Sequence, residues 1–264
     1  MAFCKTIRPS GKRELLVASY GTSSPEGRAT IGAIESALEK AFPGYVLRRC
    51  FTSQIIIDLI QRREGMAIDN VRQALERASA DGVRNLVIQP THIIGGCEYG
   101  KIIKQAAVYP FSTCAIGAPL LNSEEDFQAV ADALVSSTAE YDDGATAICL
   151  VGHGTEAAGS EAYARLQGKL ASRGNYFIGT LKAAPTAEDV LSLVKAGSFK
   201  RVLLRPLMLV AGKHAVDDMA SSWKRLFESA GYQVVCQLHG LGELEQIQSL
   251  LVRHAKEALA AVVS

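Results

Sequence analysis

The stretch that decides the fold is Ala145-Thr-Ala-Ile-Cys-Leu-Val-Gly-His-Gly-Thr155, an apolar run that stops at a histidine between two glycines. A continuous apolar run of this length is typical of a strand that is buried on both faces of a parallel sheet. The glycines beside His153 permit a tight turn and let the backbone approach a ligand closely. The stretch therefore predicts a parallel strand with an imidazole presented just beyond its carboxyl end.

The same pattern occurs in the first half of the chain. Leu15-Leu-Val-Ala-Ser-Tyr-Gly-Thr22 matches the residues at 148–155, and Asn85-Leu-Val-Ile-Gln-Pro90 matches Arg201-Val-Leu-Leu-Arg-Pro206. Both matches keep the same order and similar spacing, which predicts two similar α/β lobes. We place the first lobe, with a linking helix, at residues 1–142. The second lobe, at 143–264, carries the candidate metal-site histidines.

Short apolar runs alternate with amphipathic segments, and this alternation predicts parallel sheets flanked by helices, with a ligand cleft between the lobes. Strands are predicted at Glu14–Ser19, Tyr45–Phe51, Asn85–Thr91, Ser112–Ile116, Ala145–Gly152, Tyr176–Thr180, Arg201–Leu209 and Tyr232–Gln237. Helices are predicted at Arg28–Phe42, Asp69–Asp81, Glu124–Glu140, Ser160–Ser172, Val216–Ser229 and Glu243–Ala261. The last helix is expected to pack back across the lobes.

Composition excludes several classes of function. The chain has 264 residues, 48% hydrophobic and 21% charged, with a net charge of +1. These values are ordinary for a globular protein and favour neither nucleic acid nor an anionic membrane as a partner. No export signal or membrane span is recognisable, so we expect a cytoplasmic protein. The six cysteines form no CxxC pair and read as reduced core thiols, apart from Cys97 beside a candidate site.

Two of the five histidines follow strands at the same edge of the predicted second sheet, namely His153 and His214. Imidazole suits cobalt, nickel, iron and zinc, and it can also accept a proton near neutral pH. For the pair we favour a catalytic metal site over two hydrogen-bonded loop residues. His92 also ends a strand, where a place in the cleft and a buried structural role are equally open. His239 and His254 are interpreted as structural or solvated.

The repeat also predicts which first-lobe residues face a ligand. Tyr20 occupies the position of His153, and Glu98 that of His214. The loop Ser19-Tyr20-Gly21-Thr22 precedes a helix and offers hydroxyl and N–H groups to anionic ligand groups. These residues, with His92 and the apolar Met208, form the predicted substrate-binding set. No phosphate-binding loop and no Gly-x-Ser-x-Gly elbow occur, which argues against a nucleotide enzyme or a hydrolase that uses His153 as base.

Gly152-His-Gly-Thr155 resembles the metal-site motif of the class II chelatases, and the chain as a whole resembles the anaerobic cobalt chelatases within that family. The resemblance extends over nearly the whole chain, in family order. It is carried by Leu15–Ser23, Phe51–Ser53, Thr91–Lys101, Gly152–Thr155, Phe177–Thr180 and Arg205–Asp218. It implies a two-lobe fold that holds a tetrapyrrole in the cleft, and a metal bound by His153 and His214.

Two positions depart from the family pattern. Lys182 stands in Thr180-Leu-Lys-Ala-Ala-Pro185, where the family has a glutamate at the metal site. A protonated lysine has no lone pair and cannot replace a carboxylate ligand. Cys97 stands where the family usually has a polar or acidic residue, and its thiolate is either a soft ligand or a neutral neighbour.

The resemblance implies insertion of Co²⁺ into sirohydrochlorin, with release of two protons, in anaerobic cobalamin biosynthesis. Co²⁺ is then a substrate, and no organic cofactor is expected. The alternatives are a non-catalytic tetrapyrrole or metal carrier, and a chelatase that prefers nickel or iron. An exposed face of the C-terminal helix is a candidate contact for a homo-oligomer.

Overall fold

The computed structural model describes residues 11–154 and 158–263, without the side chains of residues 158–160 and 213–215. Within these residues the chain forms two four-stranded sheets of the same topology, ordered β2-β1-β3-β4 and β6-β5-β7-β8. Every pair of neighbouring strands is parallel. The strands are β1 (Lys12–Ser19), β2 (Val46–Phe51), β3 (Val83–Pro90), β4 (Thr113–Ile116), β5 (Thr146–Gly152), β6 (Tyr176–Thr180), β7 (Arg201–Pro206) and β8 (Gln233–Cys236).

Helices connect the strands, as parallel strands require. They are α1 (Pro25–Ala41), α2 (Gln54–Glu64), α3 (Val71–Ala80), α4 (Cys97–Ala106), α5 (Glu124–Ser137), α6 (Ala158–Leu170), α7 (Ala187–Lys195), α8 (Lys213–Asp218), α9 (Lys224–Ser229) and α10 (Glu245–Val263). A π-helical turn, Met219–Trp223, joins α8 to α9. Polar side chains cap the starts of many of these helices, as Ser24 does for α1 by accepting from the N–H of Gly27.

The two central strands have the sequences that a doubly covered sheet needs. All seven residues of β5 are buried, and six of the eight in β1 are buried. Apolar side chains of both strands alternate between the two faces of their sheets, and helices cover each face. Burial of these runs is the main source of stability, at roughly 25 cal/mol for each Å² of apolar surface removed from water.

One apolar core joins the two halves of the molecule. It contains Leu15 and Val17 of the first sheet together with Ile148 and Leu150 of the second. The C-terminal helix α10 contacts β3, β4, α1 and α5, so the chain returns to the first sheet after completing the second. A buried hydrogen bond of 2.9 Å between His254 Nε2 and the Asp126 carboxylate fastens α10 to α5. The expectation that the last helix packs across the lobes is confirmed.

The fold class predicted from the sequence is confirmed, but three helices, α2, α4 and α7, were not predicted, and several element boundaries differ. The predicted strand Arg201–Leu209 ends at Pro206, because the chain turns there and the carbonyls of Met208 and Leu209 accept from the N–H groups of residues 241 and 242. The predicted helix Val216–Ser229 begins earlier, at Lys213, and is interrupted by the π-helical turn. The lobe boundary between residues 142 and 143 stays a prediction. None of the described helices is long and apolar enough to cross a membrane.

Candidate metal and substrate site

Segments at the carboxyl ends of strands in the two sheets contact each other. Val210, which follows β7, packs against a cluster of Phe51, the last residue of β2, with Ile57 and Ile60 of α2. The loop after β3 reaches α6, and a cavity of about 160 Å³ remains between Gly95 and Arg165. Ligands of parallel α/β sheets bind at such edges. The residues that follow the strands of both lobes are therefore brought to one region.

His153 lies where the sequence predicts it, directly after β5 and exposed to solvent. Gly154 has a φ of +81°, a conformation that favours glycine. The loop after β6 lies against this turn, since a Cβ at Gly154 would come within 2.6 Å of Thr180 Oγ1. The N–H of Lys182 donates to the carbonyl of His153 over 3.0 Å. The imidazole is thus presented on a turn that its neighbours hold in place.

Partial desolvation of the imidazole lowers the pKa of His153 below its ordinary value, and the positive charge of Lys182 lowers it further. The carboxylate of Asp218 acts in the opposite direction. The net effect favours the neutral imidazole, whose free lone pair can bind a metal ion or accept a proton. Lys182 is exposed and lies close enough to His153 to act on it electrostatically.

The second predicted metal residue, His214, belongs to α8, which begins after β7 as expected for this edge of the sheet. Its side chain lies outside the described residues, so the proposed pairing with His153 stays a prediction. Thr155, the last residue of the Gly-His-Gly-Thr motif, also lies outside them. Among the side chains that the structure describes, no three His, Cys, Asp or Glu residues converge on one metal position.

The first lobe repeats the turn with a different side chain. Tyr20 follows β1 and is 54% exposed, while Gly21 has a φ of +98°. Ser19 is buried, and its Oγ accepts a hydrogen bond of 2.8 Å from the Thr91 hydroxyl. Thr22 is also buried, and its Oγ1 accepts from the N–H of Ser24. Two of the predicted ligand-facing hydroxyls are therefore engaged within the loop, and the exposed group is the phenol of Tyr20.

His92 follows β3 at the same edge. Both of its ring nitrogens are buried and have no hydrogen-bond partner within the described part of the chain. Burial lowers the pKa of His92 to about 4, against a smaller raising effect of Glu98. Neutral at pH 7, the ring keeps one N–H donor and one acceptor without partners.

Glu98 lies in the first turn of α4, and its carboxylate pairs with Lys101 over 2.6 Å. The Glu98 carboxylate is the main cause that raises the pKa of Lys101, and Cys97 and Tyr20 contribute in the same direction. These four residues therefore form one cluster at the end of the first sheet. The thiol of Cys97 is exposed there.

Met208 is half-buried after β7, and its carbonyl accepts from the N–H of Leu241. Of the two remaining histidines, His254 lies on α10 and His239 follows β8. His254 is buried against Asp126, and His239 Nδ1 lies 2.9 Å from the Glu243 carboxylate. The interpretation of both as structural or solvated agrees with these contacts.

Comparison with known proteins gives the family. The model of the family described as cobalt chelatase (CbiK) matches residues 13–260. The chain belongs to the CbiK family of cobalt chelatases. It is 35% identical over 260 residues to the sirohydrochlorin cobaltochelatase of Salmonella typhimurium, covering 96% of this chain and 98% of that protein. It is 29% identical over 266 residues to the sirohydrochlorin cobaltochelatase CbiKC of Nitratidesulfovibrio vulgaris, covering 96% and 93%.

Solved structures of other chelatases share the fold of this CbiK-family chain. SirB from Bacillus subtilis with Fe³⁺ has a TM-score of 0.66 at 14% identity and covers 94% of this chain and 96% of its own. CbiX, described as the terminal enzyme for biosynthesis of siroheme in denitrifying bacteria, has a TM-score of 0.61 at 17% identity, with coverage of 94% and 100%. At these identities the likeness concerns the fold alone. Membership of the CbiK family makes the chain a metal chelatase.

Two residues that act on the His153 turn, Tyr163 and Asp218, were not identified from the sequence. Tyr163 of α6 packs against Gly152, where a Cβ would lie 2.6 Å from its ring. The N–H groups of Gly154 and His153 approach its phenol oxygen, and burial raises the pKa of that phenol. Asp218 acts electrostatically on His153. Its position in an acidic pair at the end of α8 was a usable signal, whereas nothing local indicates that Tyr163 supports the turn.

Proposed function

We propose that this protein inserts Co²⁺ into sirohydrochlorin, with release of two protons, as a step of anaerobic cobalamin biosynthesis. The observation that carries the proposal is His153, an exposed and preferentially neutral imidazole at the meeting edges of the two sheets. It occurs in a chain that aligns over almost its whole length with two proteins named sirohydrochlorin cobaltochelatase. The metal ion is a substrate of this reaction.

Insertion requires a base for the two pyrrole protons and a ligand that holds the incoming ion. His153 meets the chemical requirement for both tasks, since a neutral imidazole is a metal ligand and a general base near pH 7. In our proposal His214 binds the ion from the other side of the site. Asp218 supplies negative charge beside His153 and favours the approach of a divalent cation.

The macrocycle is proposed to lie against the residues that follow β1, β3 and β7. Tyr20 offers an exposed phenol. His92 lies at the same edge, with ring nitrogens that are buried and have no hydrogen-bond partner among the described residues. Met208 contributes a half-buried apolar surface, and Glu98 contributes a carboxylate. Ser19, Gly21 and Thr22 shape the loop between β1 and α1, where backbone N–H groups can receive a carboxylate of the substrate.

A specific observation favours a second candidate function. Lys182 lies beside His153 at the position where the family has a glutamate, and its ammonium group cannot ligate a metal at neutral pH. A chain that lacks the third ligand could bind the tetrapyrrole or the metal as a carrier without catalysing insertion. A different metal preference, for nickel or iron, is the milder consequence.

The test is absorbance spectroscopy of sirohydrochlorin with Co²⁺ and substoichiometric protein, compared with a protein-free reaction. Accelerated conversion of many macrocycles by each protein molecule is expected. A spectral change that stops at one macrocycle per protein indicates the carrier instead. Parallel reactions with Ni²⁺ and Fe²⁺ rank the metals, and a faster reaction with either would replace cobalt in the proposal.

Location and partners complete the proposal. We place the protein in the cytoplasm, with sirohydrochlorin and a divalent metal as its ligands and with neither nucleic acid nor membrane as a partner. The exposed face of α10 is proposed as the contact of a homo-oligomer. Sedimentation of the purified protein tests this contact, because a monomer at all concentrations would remove it.

A further inference from the structure

A groove lies next to the candidate metal site, between the loop that follows β6 and the π-helical turn. It has a volume of about 690 Å³. Its lining includes Leu181, Lys182 and Thr186 from the loop, and Trp223, Arg225 and Leu226 from the π-helical turn and α9. No step of the proposed insertion reaction uses this groove.

The loop that forms one wall is held in a fixed shape by its own backbone. The N–H of Thr180 donates to the carbonyl of Pro185 over 2.7 Å, and the N–H of Leu181 donates to the carbonyl of Gly152 over 3.0 Å. The next N–H, that of Lys182, donates to the carbonyl of His153. Lys182 is therefore attached to the turn that carries His153 while its side chain lines the groove.

The other wall is equally well defined. Trp223 packs against β6 at Gly179, where a Cβ would lie 2.6 Å from the tryptophan ring. The ring is almost wholly buried, so the π-helical turn is anchored to the sheet. Arg225, two residues further on, donates from Nε to the carbonyl of Ser221 over 3.2 Å.

The charges of the groove are unbalanced. Its charged lining residues are Lys182, Arg225 and Glu188. Within the described part of the chain, no carboxylate forms an ion pair with either cation. An ammonium group acts as a compact point charge, and a guanidinium group can hold a carboxylate through two hydrogen bonds. The groove therefore matches an organic anion of modest size.

We infer that this groove binds a carboxylate arm of the tetrapyrrole substrate, with Lys182 and Arg225 as the residues that hold it. The inference rests on the proposed function, since sirohydrochlorin carries carboxylates on its side chains. A macrocycle whose centre lies at His153 extends an arm past the adjacent Lys182 and into the groove. Lys182 then binds substrate at the place where the family has a metal ligand.

The experiment compares Lys182→Met and Arg225→Met with Lys195→Met, which removes an exposed lysine at the far end of α7. Absorbance titration measures the Kd of sirohydrochlorin without metal, and calorimetry measures the Kd of Co²⁺ without macrocycle. Each groove variant is expected to bind sirohydrochlorin about five- to tenfold more weakly than the wild type, with the loss shrinking at high salt. The Lys195→Met variant should bind as the wild type does.

The Co²⁺ titration distinguishes a residue that binds the substrate from a residue that acts on the metal. At pH 8, where the imidazole of His153 is neutral in wild type and variant, loss of a cation beside it should leave Co²⁺ binding unchanged or strengthen it, and the Co²⁺ titrations are made at this pH. Weaker Co²⁺ binding with unchanged sirohydrochlorin binding in Lys182→Met would overturn the inference. Circular dichroism and the Tm of each variant establish that the fold is retained.

Free anions give the other control, because a groove with this charge could also accept a small dicarboxylate. Succinate is titrated into each variant. Groove variants that lose succinate binding but bind sirohydrochlorin like the wild type would show a site for free anions and overturn the assignment to the substrate arm. If the wild type binds sirohydrochlorin tightly and the groove variants bind it equally well, the groove is not part of the substrate site, and the proposed function stands. A wild type that binds no sirohydrochlorin removes the proposed function as well.

Discussion

The two lobes present the same backbone and different chemistry. In each lobe, one of the two central strands of a four-stranded parallel sheet ends in a turn that contains a glycine with positive φ. This glycine is Gly21 after β1 and Gly154 after β5. The residue before that glycine is exposed in both lobes, as Tyr20 in the first and His153 in the second. The duplicated turn thus positions a phenol on one side and an imidazole on the other.

The surroundings of the two turns also differ. Behind Gly21 lies the aromatic ring of Phe51, which would be 2.5 Å from a Cβ there. Behind Gly154 lies the polar loop with Thr180 and Lys182. The N–H groups of Leu181 and Lys182 donate to carbonyls of the turn, and the charge of Lys182 acts on His153. An apolar backing supports a binding surface, whereas a polar backing can adjust the pKa of an imidazole. The repeat thus supplies the geometry of the turn, and the neighbouring loop of each lobe supplies its chemistry.

The largest expected effect is a difference in insertion rate between variants of the two exposed side chains, His153 and Tyr20. Replacement of His153 by Ala should lower the rate of Co²⁺ insertion at least about 100-fold, since it removes both a base and a metal ligand. Tyr20→Phe should lower the rate less than about tenfold, because the aromatic surface remains. Initial rates with sirohydrochlorin measure both. Equal losses in the two variants would contradict the division of roles between the lobes.

Replacement of Gly154 by Ala tests the turn whose backbone conformation both lobes share. The positive φ and the contact with the β6–α7 loop should cost about 2 kcal/mol in the free energy of unfolding. Gly168→Ala is the matched control, because this α6 glycine has open space at its Cβ position. It should stabilise the protein by about 0.5–1 kcal/mol. Chemical denaturation measures both, and an unaffected Gly154→Ala would mean that the turn is not constrained.

The buried His92 predicts a loss of stability in acid. Its pKa is about 4 in the fold and about 6.5 in an unfolded chain, so below pH 6.5 protons bind the unfolded state preferentially. The contribution of neutral His92 to the free energy of unfolding is fully present above pH 6.5 and is lost progressively as the pH falls towards 4. Between pH 7 and pH 5 this loss amounts to about 2 kcal/mol.

Replacement of His92 by Leu should remove that part of the pH dependence. Urea denaturation at pH 7 and pH 5 compares the variant with the wild type and with His239→Gln, a change at an exposed histidine. The wild type and His239→Gln should lose more stability than His92→Leu over this interval. An identical loss in all three would show that His92 is accessible to protons in the fold.

The smallest expected effect is a shift in the pKa of His153. Lys182→Met removes a charge that lowers the pKa of His153, so the pKa should rise and the acid limb of Co²⁺ binding should move to higher pH. Asp218→Asn removes a charge that raises the pKa and should move the limb to lower pH. Co²⁺ titrations across pH 5–8 measure the direction. Shifts of the same sign would indicate that neither residue acts through its charge.

Much of the fold could be predicted from the sequence because its signals are local. The apolar run at 146–152 is long enough to identify a buried strand, and the two matching stretches identify the repeat. Boundaries were less accurate where distant residues decide them. Strand β7 ends at Pro206 because residues 241 and 242 bond to the carbonyls that follow, and the sequence near Pro206 contains no sign of that contact.

The fold class, the repeat and the placement of His153 beyond a central strand could all be derived from the sequence, because apolar periodicity and glycine act locally. The sequence also singled out Lys182 as a departure. Only the tertiary structure decided that Lys182 and Asp218 act on His153 from opposite directions, and that Tyr163 supports the turn from below. It alone decided that the ring nitrogens of His92 are buried with no hydrogen-bond partner in the described part of the chain. Charge interactions and burial depend on distances between remote parts of the chain, and these distances exist only after folding.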